Sequence, residues 1–503
     1  MFLKSNVGYL LIAFISLSSV SSCKHKHAGV KREIVKVPEE MDDQIADNIK
    51  AFLQNSSDNN GSISDSVKLS VPGVVSSFYD RYDYHNIWSR KERWLPLADS
   101  LISFIEHAKY YGLFPEDYHL HSLEALRGKI AADSLARKDA IIWTKVDLLL
   151  SDAFMKTARD LKEGRLVPDT ASIVRKQKYI DSFFVPSLNA VRGQGRLTDV
   201  FESMEPRLQR YQSLKSLVKN FVDSMNNTNY QFITYPESDS ELLVKNMQER
   251  LFQAGFAPSE DEFPDSVQFS GEVKKYQAAH KLRKDGKIGV KLVQSLNSFD
   301  VEKFRRIAVT LDRYKLMGDT LPVRYIWVDL PGYYLDVWDH DTLTIHSKVI
   351  VGKPTTRTPV LASAITDMVT YPQWTIPESI IKKDILPGLK RDPGYLAAKG
   401  FNLVDAKGDV VDPYKIKWTR YKSGIPWKIM QGSGDDNALG IFKFNFNNPY
   451  SVYLHDTNQR YLFANTDRVL SHGCVRVQKW EDLAFYIARN DSLNRPKDQR
   501  ISY

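Results

Sequence analysis

Between about Val71 and Asp239 the apolar positions recur at helical spacing. Leu97, Leu101, Phe104, Ile105, Ala108 and Tyr111 share one face, and Gly112 stops the run. Ile142, Val146, Leu149 and Ala153 repeat the pattern, with Gly164 as the next stop. The spacing predicts an α-helical scaffold domain over 70–240, in which isolated groups such as His107 are solvated or core side chains. A smaller helical unit is predicted over 241–300. It carries Leu243, Met247, Leu251 and Phe252 on one helix, then Val273, Tyr276 and Leu282, then an Asp285-Gly286 turn. Phe304, Ile307, Ala308 and Leu311 place another helix over 301–319, expected to pack back onto the first domain. After Pro322 the period changes to two. Val323 to Asp329, Tyr333 to Trp338 and Thr342 to Val351 read as strands broken at Pro331-Gly332 and His340-Asp341, which opens a β-rich domain over 320–490. The fold class expected is therefore α+β and multidomain.

Two segments fall outside these periods. Residues 1–22 carry one Lys and then an almost wholly apolar run from Val7 to Val20, too short and wrongly flanked for a spanning helix, so they read as a secretory signal. The ending Val20-Ser21-Ser22-Cys23 resembles a bacterial lipobox, which implies cleavage before Cys23 and acylation of that residue. The polar stretch 23–69 reads as a flexible tether with at most one short helix, near Asp42 to Gln54, and with His25 and His27 in a solvated tail. In the β-rich domain, 378–430 is a long insertion with Pro387-Gly388, Asp392-Pro393-Gly394 and the aromatics Tyr395, Trp418, Tyr421 and Trp427. A structureless loop of that length is unusual unless functional, so it is expected to be a mobile cap or a small subdomain.

Composition changes this picture little. The chain's 503 residues exceed what one core organises, so two to four domains are expected. A net charge of +8 favours anionic surfaces, but no basic block is interleaved with aromatics and no nucleic-acid motif is present, so nucleic acid is not an expected partner. Gly432-Ser433-Gly434 and Gly352-Lys353-Pro354-Thr355 lack the remaining glycines of nucleotide-binding loops. The cysteine count matters more. There are two, and acylation of Cys23 leaves Cys474 as the single thiol of the exported chain, so no intramolecular disulfide can form.

Cys474 lies in Ser471-His472-Gly473-Cys474-Val475-Arg476-Val477, and His455-Asp456 precedes Ser471 by fifteen residues. A thiol with a pKa of about 8.5 needs a base or a cation beside it to react at neutral pH. His472 would point to the same side as Cys474 in an extended segment, and His455 could face it from a separate strand. Gly473 permits a tight turn that could aim amides at an oxyanion. From the residues alone this is a Cys/His acyl-transfer candidate, against an inert buried Cys or a zinc site of His455, His472 and Cys474. Common zinc spacings are absent, so no metal is expected.

That arrangement resembles the signature of the L,D-transpeptidase (YkuD-type) catalytic domain: His, then Ser/Thr-His-Gly-Cys, an aliphatic residue and Arg. Trp374-Thr375-Ile376-Pro377 and Asn437-Ala438-Leu439-Gly440 ahead of Lys443-Phe444 are similar to stretches of the large periplasmic members. Val477 departs from the usual Asn or Met. Residues 241–297, with Gln248, Gly255, Gln277 and Asp285-Gly286, resemble a three-helix peptidoglycan-binding domain. The resemblance implies no cofactor. It implies that Cys474 attacks a tetrapeptide stem of peptidoglycan, releases D-Ala as a thioester forms, and passes the acyl group to an amine. His455 would be the base, oriented through the Asp456 carbonyl, with Ser471, His472, Gly473 and Arg476 supporting and Trp374, Tyr453 and Asn437 as substrate contacts. An L,D-carboxypeptidase or endopeptidase would use the same residues, and a silent wall-binding lipoprotein is the third reading. The acceptor is left open among another stem, a D-amino acid and an outer-membrane protein. The expected location is the periplasmic face of a membrane, the outer one first, through the Cys23 anchor.

Overall fold

The computed structural model describes residues 34–64, 67–166, 179–180, 183–192, 196–260, 265–317 and 319–489. The expected signal segment and Cys23 lie outside the described residues. No helix among the described residues is long and apolar enough to cross a membrane.

Met41, Ile45, Ile49, Phe52 and Leu53 fall at helical spacing and all are buried, so α1 (Met41–Asp58) is part of the scaffold core. The expected tether is therefore corrected from residue 34 onward. Its polar residues belong largely to the solvent face of an amphipathic helix. The predicted helix near residue 100 is α2 (Pro96–Glu106), followed by a 3-10 turn that ends at Gly112 with φ +71°. Through the middle runs α3 (Ala140–Glu163), buried on nearly every side and stopped by Gly164. Its buried acids are saturated with donors. Asp147 accepts from the amides of Ile87 and Trp88 and from the Tyr79 hydroxyl, and Asp152 from the amides of Ser70 and Val71, with the His119 ring 2.7 Å away.

After α4 (Gln209–Ser224) come α5 (Ser240–Gln253), α6 (Ser266–Ala279) and α7 (Val290–Leu296). These last three surround a small core of Met247, Leu251, Val273, Tyr276, Leu292 and Leu296. Gln277 and Asp285 close the turn ahead of α7. The Gln277 amide donates to Asp285 at 2.9 Å and accepts from the Gly286 amide at 2.9 Å. In α8 (Asp300–Met317), Phe304, Ala308 and Leu311 pack with Leu208, Tyr211 and Val218.

The β-rich domain begins with β1 (Arg324–Asp329), β2 (Tyr334–Asp339) and β3 (Thr342–Gly352), close to the predicted strands. His340 and Asp341, both at positive φ, form the second turn. Next come β4 (Ile365–Thr370), β5 (Trp374–Thr375), β6 (Phe401–Val404), β7 (Lys428–Gln431), β8 (Phe442–Phe446), β9 (Leu454–His455), β10 (Val469–Ser471) and β11 (Val475–Val477). The main sheet runs β1-β2-β3-β11-β9-β8-β4, with β10 parallel to β3 off that path. Only β9 and β11 are parallel neighbours along the path. One face of the sheet buries Leu335, Val337, Val349, Phe444, Leu454 and Val475 against Trp480 and Leu483 of α9 (Trp480–Ala488).

Insertion 378–430 is a folded subdomain rather than a loop. Ile381, Ile385, Leu386, Leu389, Leu403, Trp418 and Ile429 form a core separate from that of the main sheet, under the three-stranded sheet β6-β7-β5.

Candidate active site

Alternation places the site on the face of the sheet opposite the core. In β8 the sequence Phe442-Lys443-Phe444-Asn445-Phe446 turns Phe444 into the core and Lys443 to the other side. Lys443 pairs with His455, His455 with Arg476, and Arg476 with Ile350, so a row of three basic side chains crosses β8, β9 and β11. Two residues earlier, just ahead of the two parallel strands, Tyr453 and Cys474 share that face, joined through the Val475 amide donating to the Tyr453 carbonyl at 3.1 Å. Cys474 and His455, nineteen residues apart in sequence, thus become neighbours across one strand pair.

The loop that carries Cys474 is bracketed from below. Gly352 has no room for a Cβ, which would sit 2.2 Å from the Thr356 carbonyl, so the 353–358 loop lies tight against the strand. From that loop the Lys353 amide and the Thr356 hydroxyl donate to the Ser471 carbonyl, at 3.0 and 3.1 Å, and Thr358 donates to the Gly473 carbonyl at 2.8 Å. Ser471 is buried, donating to the Cys474 carbonyl at 2.6 Å and accepting from the Gly473 amide at 3.1 Å. Gly473 sits at φ +125°, a conformation open to glycine and strained for other residues. In this turn the Gly473 and Val475 amides are engaged, while no hydrogen bond to another described residue is formed by the amides of His472 and Cys474.

Burial controls the charge states. It pushes the Cys474 thiol up, against the Tyr453 amide and hydroxyl, Lys443 and Arg476, which all favour thiolate. Burial also pushes the His455 imidazole down to about 3, helped by Arg476 and Lys443 and opposed by the backbone carbonyls of Asp456 and Leu439. His455 Nδ1 is buried with no hydrogen bond formed among the described residues. The resting pair is therefore neutral thiol beside neutral imidazole, and Sγ lies 3.9 Å from the Ser451 carbonyl. Lys443 Nζ stands 4.1 Å from the centre of the Tyr453 ring, and Tyr453 packs edge-on to His455 at 5.6 Å. Arg476 donates to Gln459 at 3.0 Å, and its Nε is buried without a partner among the described residues. No carboxylate lies within ion-pair distance of Lys443 or Arg476 among the described residues; Arg476 bonds Gln459 instead.

The other expected site residues separate by position. His472 points outward, its Nε2 2.8 Å from Asp384 in the insertion, engaged with neither His455 nor Cys474. The Asp456 carboxylate is fully buried and held by Arg460 at 3.0 and 2.6 Å and by the Ile441 amide at 3.1 Å. Gly440 leaves room for it, since a Cβ there would fall 2.2 Å from Asp456 Oδ2. Asn437 is also buried, and its amide is spent on the carbonyls of Pro372 and Gly432 and the amide of Leu439, which makes it a turn former rather than a substrate contact. Trp374 reaches the site from β5; its indole N–H is buried without a partner among the described residues and stands near enough to Tyr453 to favour the phenolate. Sequence reasoning passed over Lys443, Thr358 and Asp384 as site residues. The Phe-Lys-Phe-Asn-Phe alternation was a usable signal for the first; the other two had none, because only the folded loops bring them near the motif.

Comparison with known proteins agrees with this geometry. A scaffold-domain family model matches residues 73–217, and the model of the L,D-transpeptidase catalytic domain matches 323–493. A putative L,D-transpeptidase from Haemophilus influenzae is 41% identical over 180 residues, which is 36% of this chain and 36% of that protein. The match thus spans about a third of the relative's length.

Proposed function

We propose that this chain, which carries an L,D-transpeptidase catalytic domain behind a helical scaffold domain, is a peptidoglycan L,D-transpeptidase with Cys474 as nucleophile and His455 as base. The observation that carries the reading is the register of β9 and β11, which seats the thiol and the imidazole on one face of adjacent parallel strands. Attack of Sγ on the carbonyl between the L- and D-centred residues of a tetrapeptide stem passes the thiol proton to His455. The C–N bond then breaks, D-Ala leaves with that proton, and a thioester remains. An acceptor amine attacks next, gives a proton to His455, and the departing thiolate recovers it. Because burial raises the thiol and lowers the imidazole, we read proton transfer as accompanying attack. We read the Cys474 amide as a donor to the developing oxyanion. Lys443 and Arg476, cations with no carboxylate within ion-pair distance among the described residues, suit a donor peptide rich in carboxylates.

Intact-protein mass spectrometry with a tetrapeptide donor tests this. The expected mass gain is that of the donor less D-Ala, absent from Cys474→Ala; an adduct that persists in the variant sinks the assignment. Carbapenems are expected to acylate the same thiol. Residues 241–297 are read as the part that holds the enzyme to the wall, and Cys23 as the acylated anchor that places it on the periplasmic face of a membrane. Incorporation of labelled fatty acid, lost in Cys23→Ala, tests the anchor.

A further inference from the structure

In the three-helix unit, Gln268, Gly271, Glu272 and Lys275 occupy one stripe of α6 at spacings of three and four, and the stripe faces the turn that follows α5. A glycine inside a helix costs about 1 kcal/mol relative to alanine, and a Cβ on Gly271 would meet nothing within 4 Å. Beside the missing side chain lies an open surface groove of about 530 Å³. Its far wall is Phe256 and Pro258, apolar and firm, since the Phe256 ring packs edge-on against Tyr276 at 5.1 Å.

One group in the groove is out of balance. Glu272 is only 4% exposed; its Oε1 accepts from the Gln268 amide at 3.1 Å, while Oε2 is buried with no partner among the described residues. A buried carboxylate oxygen without a donor is costly unless a ligand brings one, and a cationic donor satisfies it best. One turn along, Lys275 lines the same groove with an exposed ammonium that suits an anion. We propose that this groove binds a free amino-acid centre, with its ammonium on Glu272, its carboxylate toward Lys275 and its carbon chain on Phe256 and Pro258. In a peptide stem that group is the unlinked amino-acid end of a diamino acid. The inference rests on the reading of residues 241–297 as the wall-holding unit and deepens it. Gln277 and Asp285, which carry the motif, are engaged with each other in their turn.

The test is calorimetry on the full chain in a Cys474→Ala background. The probe is the tripeptide L-Ala-γ-D-Glu-meso-diaminopimelate, alongside the same peptide acetylated on its free amine. Glu272→Gln removes the charge and keeps the shape. Gly271→Leu fills the groove from a helix position where a side chain meets open space, so a retained melting temperature shows that it folds. Either variant, and acetylation, should weaken binding by about tenfold or more. Equal affinity for both probes, or affinity unchanged in Glu272→Gln and Gly271→Leu, overturns the proposal, as does a wild-type chain that is acylated at Cys474 yet shows no tripeptide binding. Groove-dependent binding by a chain that never acylates would instead sink the transpeptidase reading and leave this one standing.

Discussion

A thiol raised by burial and an imidazole depressed to about 3 set the pH behaviour of the site residue by residue. An imidazole depressed this far stays neutral, and so able to accept a proton, well below its ordinary 6.5. The kcat/KM profile is therefore expected to show no inflection between pH 5 and 7, and a fall on the acid side only as the depressed value is approached. An inflection near 6.5 would mean that the working pair is thiolate and imidazolium. Lys443 favours the thiolate from across the strand pair, so Lys443→Met should move thiol ionisation further up, read by alkylation rate against pH. The same change should raise KM for an anionic donor by about tenfold, since a charge-assisted contact is lost. The proposed nucleophile and the proposed base stand out in the sequence because each sits in a short motif with chemistry of its own. Arg476 belongs to the same motif, whereas Lys443 is marked only by strand alternation. Gly352 and its loop, set aside as a failed nucleotide motif, proved to be the bracket under the catalytic turn, a role that depends on contacts between segments more than a hundred residues apart.

At the scale of elements, the insertion explains why a stem peptide and a small reagent should respond differently to damage. Its core is independent of the main sheet, and it meets the catalytic loop through the half-exposed pair Asp384 and His472, a contact that contributes little to stability. Leu389 is almost fully buried there, and Leu389→Ala should cost about 2–5 kcal/mol, concentrated in the insertion. The expected result is new proteolytic cuts within 378–430 and loss of acylation by a tetrapeptide, while iodoacetamide still alkylates Cys474. Equal loss of both reactions would mean that the insertion supports the catalytic sheet itself. Ile381, Ile385 and Leu389 are spaced by four, so part of this core was readable as a helix. The glycines, prolines and turns around them masked the signal. A short helix near Asp42 to Gln54 was expected, but the polar composition of the segment hid that α1 turns Met41, Ile45, Ile49 and Phe52 into the scaffold core.

For the whole molecule, the two large units should answer acid in opposite directions. They join through α8 and through Arg210, which lies 4.8 Å from Trp327 and 5.2 Å from Trp338 and pairs with Asp336 at 3.4 Å; each keeps its own core. In the scaffold, burial raises Asp147 from 3.8 to about 6 despite its three donors. Between those values the folded state binds the proton more readily than the unfolded one, so this contribution to stability falls as pH rises from about 4 to 6. In the catalytic domain His455 is depressed from 6.5 to about 3, so the unfolded state binds the proton more readily, and its contribution rises with pH over the same interval. Scanning calorimetry from pH 4 to 6.5 checks the signs if the units melt separately. His455→Gln should flatten the rise in the catalytic transition. Asp147→Asn should remove the opposing trend in the scaffold, while also lowering that transition, because an amide group cannot accept from Ile87, Trp88 and Tyr79 together. Slopes that both variants leave unchanged would show that neither buried group governs the acid response, and that it arises from the many exposed carboxylates instead.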